Sequence, residues 1–406
     1  MNAAPASPKS KQRPVSTAAE ARGEDLERRR EIGQFFTPAP VAGFIWEMLE
    51  IIHGGRFSAG TRIIDPACGE GVFLCVAADH GLPAKSLFGA DIDESLAAVW
   101  RETPQLRGAS VHLANGLLDQ PTVGIVEEAF DVVAGNPPFS GKGLRDLLRL
   151  LEEPAAREEM DLFGTTALKE QPAAVQPLSR REREELDRLV RSLSQYSCWR
   201  LNATEEDDAD SEAEGTSQEL FAAAALNDRR RPTASDCERT AQLIAQWPKD
   251  RLLDTDRTEV RDVIRRMAST AIEVFFTERF LRLAKPGGLI AVIVPESIVA
   301  SGRLSPLRRW LTGRMDLLAS ISLPQKVFTG VGANAKTTIL FARRRMRERP
   351  VGWDSREGRR HLPDKDREVF MAGPRLDAPG WSLEIYLKSV LEGARKRKEE
   401  SWLSPN

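Results

Sequence analysis

The chain has little of what builds disulfide frameworks, metal centres or membrane spans. Its 406 residues include four cysteines and four histidines. Cys68, Cys75, Cys198 and Cys237 form no C-x-x-C pair and no zinc-type cluster with the histidines. A reducing compartment with no metal is the expectation. No apolar run approaches the ~20 residues that cross a bilayer, and no signal-type apolar stretch follows Met1. The composition therefore predicts a soluble, cytoplasmic protein without a membrane partner. Net charge is also lacking: 58 basic and 60 acidic residues leave −2. Phosphate binding would then have to come from a local basic face.

Composition and periodicity divide the chain into five stretches. Residues 1–31, rich in Ala, Pro, Ser and charge, predict a weakly ordered arm. In 32–143, a helical pattern (Val41, Phe44, Ile45, Met48, Leu49, Ile52) precedes strand-like runs at 62–65, 87–92, 111–114 and 130–134, with a helix from Val72. Residues 144–262 are charged and helical in tendency, with an acidic loop from Glu205 to Glu214, and predict a mainly helical insertion. In 263–345 a helix (Ile272, Phe275, Phe276, Phe280, Leu281) runs to a stop at Gly287-Gly288. Strands at 289–294, 317–323 and 337–342 follow, the last two suiting an antiparallel edge. The remainder, 346–406, reads as a charged, weakly patterned tail. Strands alternating with helices predict an α/β, doubly wound sheet with ligands at the carboxyl ends of its strands.

The candidate residues lie at those ends. In Asp65-Pro66-Ala67-Cys68-Gly69-Glu70-Gly71 the glycines permit close backbone approach to a ligand. Asp91 ends the next strand, where an acid can accept both hydroxyls of a ribose. The turn lacks the G-x-G-x-x-G form and a Lys-Ser/Thr phosphate clamp, so an adenosine-type cofactor without a pyrophosphate suits it. Asp93, nearby, suits a helix cap.

Asn136-Pro137-Pro138-Phe139 follows the fourth strand. An exocyclic amine on a base is a poor nucleophile, its lone pair delocalised into the ring. Attack on a methyl group needs that lone pair aimed and the amine hydrogens held by acceptors. The Asn136 side-chain carbonyl and the Pro137 backbone carbonyl, on a turn stiffened by two prolines, are such acceptors. Phe139 can lie against the face of the base. The chemistry would be mostly orientation. Alone, Asn-Pro-Pro-Phe is an ordinary turn sequence. Its place after the Gly turn and the acidic strand end gives it meaning.

These motifs, in this order, resemble amino-methyltransferases of DNA, closest to the N6-adenine methylases related to modification subunits of type I restriction systems. The resemblance spans about 33–140 and 266–345. It implies a Rossmann-like S-adenosylmethionine-dependent methyltransferase fold, a mostly parallel seven-stranded sheet with an antiparallel edge. Gly33-Gln34-Phe35-Phe36-Thr37-Pro38 is similar to the group's N-terminal cofactor signature, which implies cofactor roles for Phe36, Thr37 and Pro38. Asp65, Ala67, Cys68, Gly69 and Gly71 match its Gly turn, Asp91 its ribose-binding acid, and Asn136 to Phe139 its catalytic motif. Asn115 sits where relatives carry an acidic or amide residue beside the adenine, and Phe328 where a second aromatic meets a flipped base. DNA is the implied substrate, with a separate specificity subunit or a restriction or defence partner. Type I subunits carry a sizeable helical domain before the first motif, and self-sufficient relatives a recognition domain after the last; neither is evident here.

Other readings share these residues. Asn-Pro-Pro-aromatic alone does not exclude the same chemistry on cytosine N4, an RNA base or a protein glutamine, although the resemblance of the Gln34 to Pro38 block argues for DNA. A cofactor-binding scaffold without catalysis is a different class, against which intact Asp65, Asp91 and Asn136 speak. Lys142 and Arg145 are positioned to meet phosphate; Arg180-Arg181, Arg191 and Arg229-Arg230-Arg231 read first as solvated helix faces.

Overall fold

Apolar runs buried almost without interruption make the central strands, and each face of the resulting sheet carries its own core. The computed structural model describes residues 37–139, 179–201, 234–255, 257–328, 336–349, 369–376 and 381–399. The first elements are α1 (Ala39–His53), β1 (Ile63–Asp65), α2 (Val72–Asp79), β2 (Leu87–Asp91), α3 (Leu96–Glu102), β3 (Ser110–Leu113) and β4 (Phe130–Gly135). Then come three helices, α4 (Arg180–Ser194), α5 (Ala234–Gln246) and α6 (Thr258–Ser269). The last are α7 (Ile272–Leu283), β5 (Ala284–Pro295), α8 (Glu296–Ala300), α9 (Ser305–Arg314), β6 (Met315–Leu323), β7 (Thr337–Arg344), β8 (Phe370–Ala372) and α10 (Leu383–Glu399).

The strands form one sheet in the order β3-β2-β1-β4-β5-β7-β6-β8. Neighbours pair in parallel except β7, which runs against both β5 and β6. From β1 the chain steps outward to β2 and β3, then returns to β4 on the other side of β1. Such a reversal opens a crevice at the carboxyl ends of the two central strands, here β1 and β4.

Side chains alternate across this sheet. Ile63, Val132, Ala134, Leu289, Ala291 and Ile293 pack with α1, α2, α3 and α10. Ile64, Val133, Ile290, Val292 and Val294 pack on the other face with α4 to α7 and α9. Each such buried aliphatic side chain is worth about 1.5–3 kcal/mol relative to exposure. Helix α1 is stopped by Gly54, at φ 101°, whose N–H donates to the Glu50 and Ile51 carbonyls.

The fold class is the one expected: a mostly parallel α/β sheet flanked by helices. Four details differ. β8 is an eighth strand, so the antiparallel β7 lies inside the sheet with β6 and β8 beyond it. α7 ends at Leu283, short of Gly287-Gly288. Those glycines belong to the entry of β5: Gly287 has φ +82°, and a Cβ on Gly288 would lie 3.0 Å from the Phe130 carbonyl oxygen. The expected boundary at 262 falls inside α6, and the insertion's described helices share one continuous core with the sheet. Among the described residues of 346–406, β8 joins the sheet and α10 lies against α1, where a weakly patterned tail was expected. Tyr386 donates to the Ser322 carbonyl at 2.9 Å, and Arg395 pairs with Glu47 at 2.9 Å. The acidic loop from Glu205 to Glu214 lies outside the described residues, as does the arm 1–31.

Candidate functional site

The crevice at the β1/β4 reversal gathers the residues singled out from the sequence. β1 ends in Asp65, which is 1% exposed. Its Oδ1 accepts the Ala67 N–H at 3.1 Å. Burial pushes the Asp65 carboxyl up to about 8, with the negative charge of Asp91 adding to the effect and the Ala67 hydrogen bond opposing it. The space for this carboxyl is made by Gly135 at the end of β4, where a Cβ would lie 2.4 Å from Asp65 Oδ1. Asp65 therefore sits directly beside the strand end that delivers Asn136.

The Gly turn is held on several sides. Gly69 (φ 52°) and Gly71 (φ 88°) are both left-handed. The Cys68 N–H donates to the Ala90 carbonyl at 3.0 Å, and the Cys68 carbonyl accepts the Gly71 N–H at 2.8 Å. The Cys68 side chain turns into the core, against the bare Cα of Gly89, and burial raises its thiol pKa well above the ordinary value. Cys68 thus offers its backbone to the turn. The space beside Gly71 is filled by Leu106, 2.8 Å from where a Cβ would stand, so this glycine serves packing as well as conformation. Trp100 Nε1–H donates to the Gly69 carbonyl at 2.7 Å from within the core.

Asp91 closes the turn from β2. Its Oδ2 accepts the Gly69 N–H at 2.8 Å and its Oδ1 the Asp93 N–H at 3.1 Å. Each oxygen keeps acceptor capacity beyond that one bond. Burial raises the Asp91 pKa, while its backbone hydrogen bonds oppose the shift. Asp93 accepts from the Ser95 N–H (3.0 Å) and hydroxyl (2.7 Å) just ahead of α3; the cap residue of that helix is Ser95, so Asp93 holds the preceding turn and is not the helix cap expected. Between the two acids, Ile92 is 60% exposed. An apolar side chain kept out of the core beside the strand end is a surface for a planar ring.

Beyond β3, Asn115 folds a tight turn in which its Oδ1 accepts the Leu117 N–H at 3.0 Å. The next residue, Gly116, packs so closely under the Gly turn that a Cβ would lie 1.6 Å from the Pro66 carbonyl oxygen. The Asn115 turn and the Asp65–Gly71 turn therefore interlock.

β4 stops where Pro137 removes the next backbone donor, after the last ladder pair Gly135↔Val292. Asn136 is half-buried, Pro137 buried, and Pro138 and Phe139 half-buried. Phe139 meets Phe328 edge-to-face, centroids 6.5 Å apart at 83°. Phe328 is wholly buried in the α1/α10 face of the core, with Phe139 packed against that cluster. At the other flank Thr37 is buried, and the Pro38 carbonyl accepts the Val41 N–H at 2.9 Å to begin α1.

Phe36, Lys142, Arg145 and Arg229-Arg230-Arg231 lie outside the described residues. Arg180 and Arg181 pair with Glu184 and Glu185 on the exposed face of α4. Arg191 pairs with Asp187 and donates to the Trp247 and Arg251 carbonyls, which makes it a structural residue. No group of His, Cys, Asp and Glu among the described residues could hold a metal ion, and none of the described helices is long and apolar enough to cross a membrane.

Sequence reasoning missed Ile92, Trp100, Gly116 and Gly135. An apolar residue directly after a strand-end acid was a readable signal for Ile92, and Gly135 directly precedes Asn136-Pro137-Pro138-Phe139. Trp100 and Gly116 act through contacts that no local pattern announces.

Residues 25–160 match the family model described as N-6 DNA Methylase. A curated relative, the type I restriction enzyme EcoEI methylase subunit of Escherichia coli, is 26% identical over 155 residues, which cover 34% of this chain and 30% of the relative. The chain thus spans under a third of that relative's length. Among solved structures, a type I restriction-modification system methyltransferase subunit from Streptococcus thermophilus aligns with a TM-score of 0.45 at 15% identity. That alignment covers 89% of this chain and 53% of the other. The resemblance to N6-adenine DNA methylases of the type I kind therefore rests on the matched segment, which contains both the Gly turn and Asn136.

Proposed function

We propose that this protein transfers a methyl group from S-adenosylmethionine to the exocyclic N6 of an adenine flipped out of DNA, within a restriction-modification or related defence system. The observation that carries the reading is the meeting of two motifs at the β1/β4 crevice. One is the Asp91 carboxylate locked to the Gly69 N–H; the other is Asn136, delivered beside Asp65.

The residues present fit an adenosine-type sulfonium cofactor. Asp91, at a strand end with acceptor capacity left on both oxygens, suits two ribose hydroxyls. Exposed Ile92 suits one face of an adenine, and the Asn115 amide NH2 can donate to a ring nitrogen. Asp65, adjacent to both motifs, is a buried acid whose ionised form a neighbouring cation would favour. When bound, S-adenosylmethionine supplies an electrophilic methyl on a positively charged sulfur.

The chain's own contribution is orientation. The Asn136 side-chain carbonyl and the Pro137 carbonyl accept the two hydrogens of the target amine, turning its lone pair towards the methyl. The prolines keep those acceptors from relaxing. Phe139 offers an edge or face to the base, repaying part of the few kcal/mol that extrusion from a duplex costs. Phe328, behind it, backs Phe139 and meets the base only if Phe139 moves. Thr37 and Pro38, with Phe36 before them, flank the cofactor at the start of α1. The amine proton leaves after transfer, so no strong base is required.

DNA specificity would come from a separate subunit, as in the systems that this chain resembles. Nucleoside mass spectrometry of unmethylated DNA, incubated with the protein and S-adenosylmethionine, tests the reaction, with Asn136→Ala as control. N6-methyladenine formed by the parent alone is the expected outcome. N4-methylcytosine would keep the mechanism and replace the base. No product on DNA despite cofactor binding would refute the protein as sufficient alone. For the division of labour, Asn136→Ala should bind cofactor normally, whereas Asp91→Ala should weaken it at least tenfold, since hydrogen bonds to a charged acceptor are each worth about 1.5–3 kcal/mol. Equal loss in both, by calorimetry, would refute the assigned roles.

A further inference from the structure

The turn that carries Asn115 exposes three consecutive carbonyls to the opposite side of the molecule, and all three are taken by side chains distant in sequence. Gly116 O accepts Arg279 Nε–H at 2.9 Å, and Leu118 O accepts an Arg279 Nη–H at 2.9 Å. Between them, Leu117 O accepts the Tyr196 hydroxyl at 2.7 Å. The remaining Arg279 Nη binds Asp119 Oδ1 at 2.8 Å. Arg279 and Tyr196 are each 1% exposed. Burying a guanidinium is costly unless every donor is matched, and here the matching acceptors are those of this one turn.

The clamp is itself braced. Glu278, with no exposed surface, accepts the Ser197 and Cys198 N–H groups at 2.9 and 2.7 Å, fixing the turn that holds Tyr196. Arg282, one turn along α7, bonds Glu127 at 2.6 Å and lies 4.7 Å over the Tyr196 ring. Burial raises the Tyr196 pKa, so its hydroxyl remains a donor throughout the useful pH range.

We propose that Arg279 and Tyr196 are positioning residues of the cofactor site. They hold the Asn115 turn in the geometry in which it meets the adenine of the cofactor. It follows that residues 195–201, directly after α4, help to complete the cofactor pocket. This rests on the functional reading above, because it takes Asn115 to be a cofactor contact. Neither residue touches the cofactor; each acts through the backbone of 116–118.

Tyr196→Phe removes one oxygen and keeps the ring in the core. Arg279→Lys keeps the charge and loses the fork. Both are measured for S-adenosylmethionine affinity by calorimetry and for amide exchange at Leu117 and Leu118, whose N–H groups close the turn on Asn115. Tyr196→Phe is expected to speed that exchange and weaken the cofactor, each about tenfold, the effect of one buried hydrogen bond. Combined with Asn115→Ala it should weaken binding no further than Asn115→Ala alone, because both act through one group. Additive losses, or parent-like affinity and exchange in Tyr196→Phe, would overturn the inference. If Arg279→Lys fails to fold, Tyr196→Phe decides alone. Should Asn115→Ala and Asp91→Ala both leave affinity untouched, the functional reading has failed instead. The clamp is then judged by exchange alone, and unchanged exchange sinks it.

Discussion

Asp65→Asn is expected to abolish a pH dependence of stability that the parent carries. In an unfolded chain this carboxyl titrates near 3.8, and in the folded protein burial moves it to about 8. Between those values the folded state keeps a proton that the unfolded state has released, so folding binds protons. Stability must then fall as pH rises through the window, by ~1.4 kcal/mol per pH unit, and level off above the folded value. Below the unfolded value both states are protonated and the group contributes no slope. Asparagine keeps an Oδ1 acceptor for the Ala67 N–H, matches the shape of the neutral acid, and cannot ionise. Urea unfolding followed by circular dichroism at about pH 5.5 and about pH 7.5 gives the comparison. Over those two units the parent should lose roughly 3 kcal/mol more than Asp65→Asn. Asp91 is also raised by burial and its charge adds to the shift of Asp65, so repeating the comparison in an Asp91→Asn background removes its share from the difference. Losses equal within ~0.5 kcal/mol would refute the claim that Asp65 is held protonated.

Two further substitutions probe how the crevice is built. Gly135→Ala would place a Cβ 2.4 Å from Asp65 Oδ1 and should cost about 1–3 kcal/mol of overpacking. Adding Asp65→Ala should recover part of that loss in the denaturation midpoint, and no recovery would show that the clash lies elsewhere. Trp100→Phe leaves the Gly69 carbonyl without its 2.7 Å donor in the core. A stability loss of about 1–3 kcal/mol with weakened S-adenosylmethionine binding is expected, and calorimetry showing parent-like affinity would detach Trp100 from the Gly turn's function.

The central strands were legible because they are short apolar runs ending in polar residues. Ile63-Ile64-Asp65 and Phe130 to Gly135 read as buried strands that end at a crevice, and their last residues, Asp65 and Gly135, are themselves buried. Asp65, Asp91 and Asn136 were singled out for that reason and Asn115 by resemblance; Asp65 and Asp91 end β1 and β2, while Asn115 and Asn136 follow β3 and β4. The last helix was hidden. Its buried stripe, Tyr386, Leu387, Val390, Leu391 and Ala394, recurs at helical spacing but is diluted by the Lys and Arg residues that cover its outer side. β8 is three residues long and has no local pattern; it is a strand because β6 offers it an edge. Gly287-Gly288 misled because glycine after an apolar helix is a common stop, whereas here close packing on β4 selects it.

The long-range polar contacts were illegible for a different reason. Arg279 and Gly116 stand 163 residues apart, and nothing in either neighbourhood specifies the other. Their meeting depends on α7 lying across the sheet at one depth and one rotation, which only the packed core fixes. This changes what counts as the unit of the site. Asp65, Asp91, Asn115 and Asn136, assigned to cofactor and base in the proposed function, all fall within the matched segment 25–160. Yet the donors that satisfy the carbonyls of Gly116, Leu117 and Leu118 come from Tyr196 and Arg279, beyond it. A buried carbonyl left without its donor costs about 1–3 kcal/mol, and three in succession would leave the Asn115 turn without a preferred geometry. The groups proposed to react therefore lie in one contiguous stretch, while the Asn115 turn among them is held by the chain beyond it.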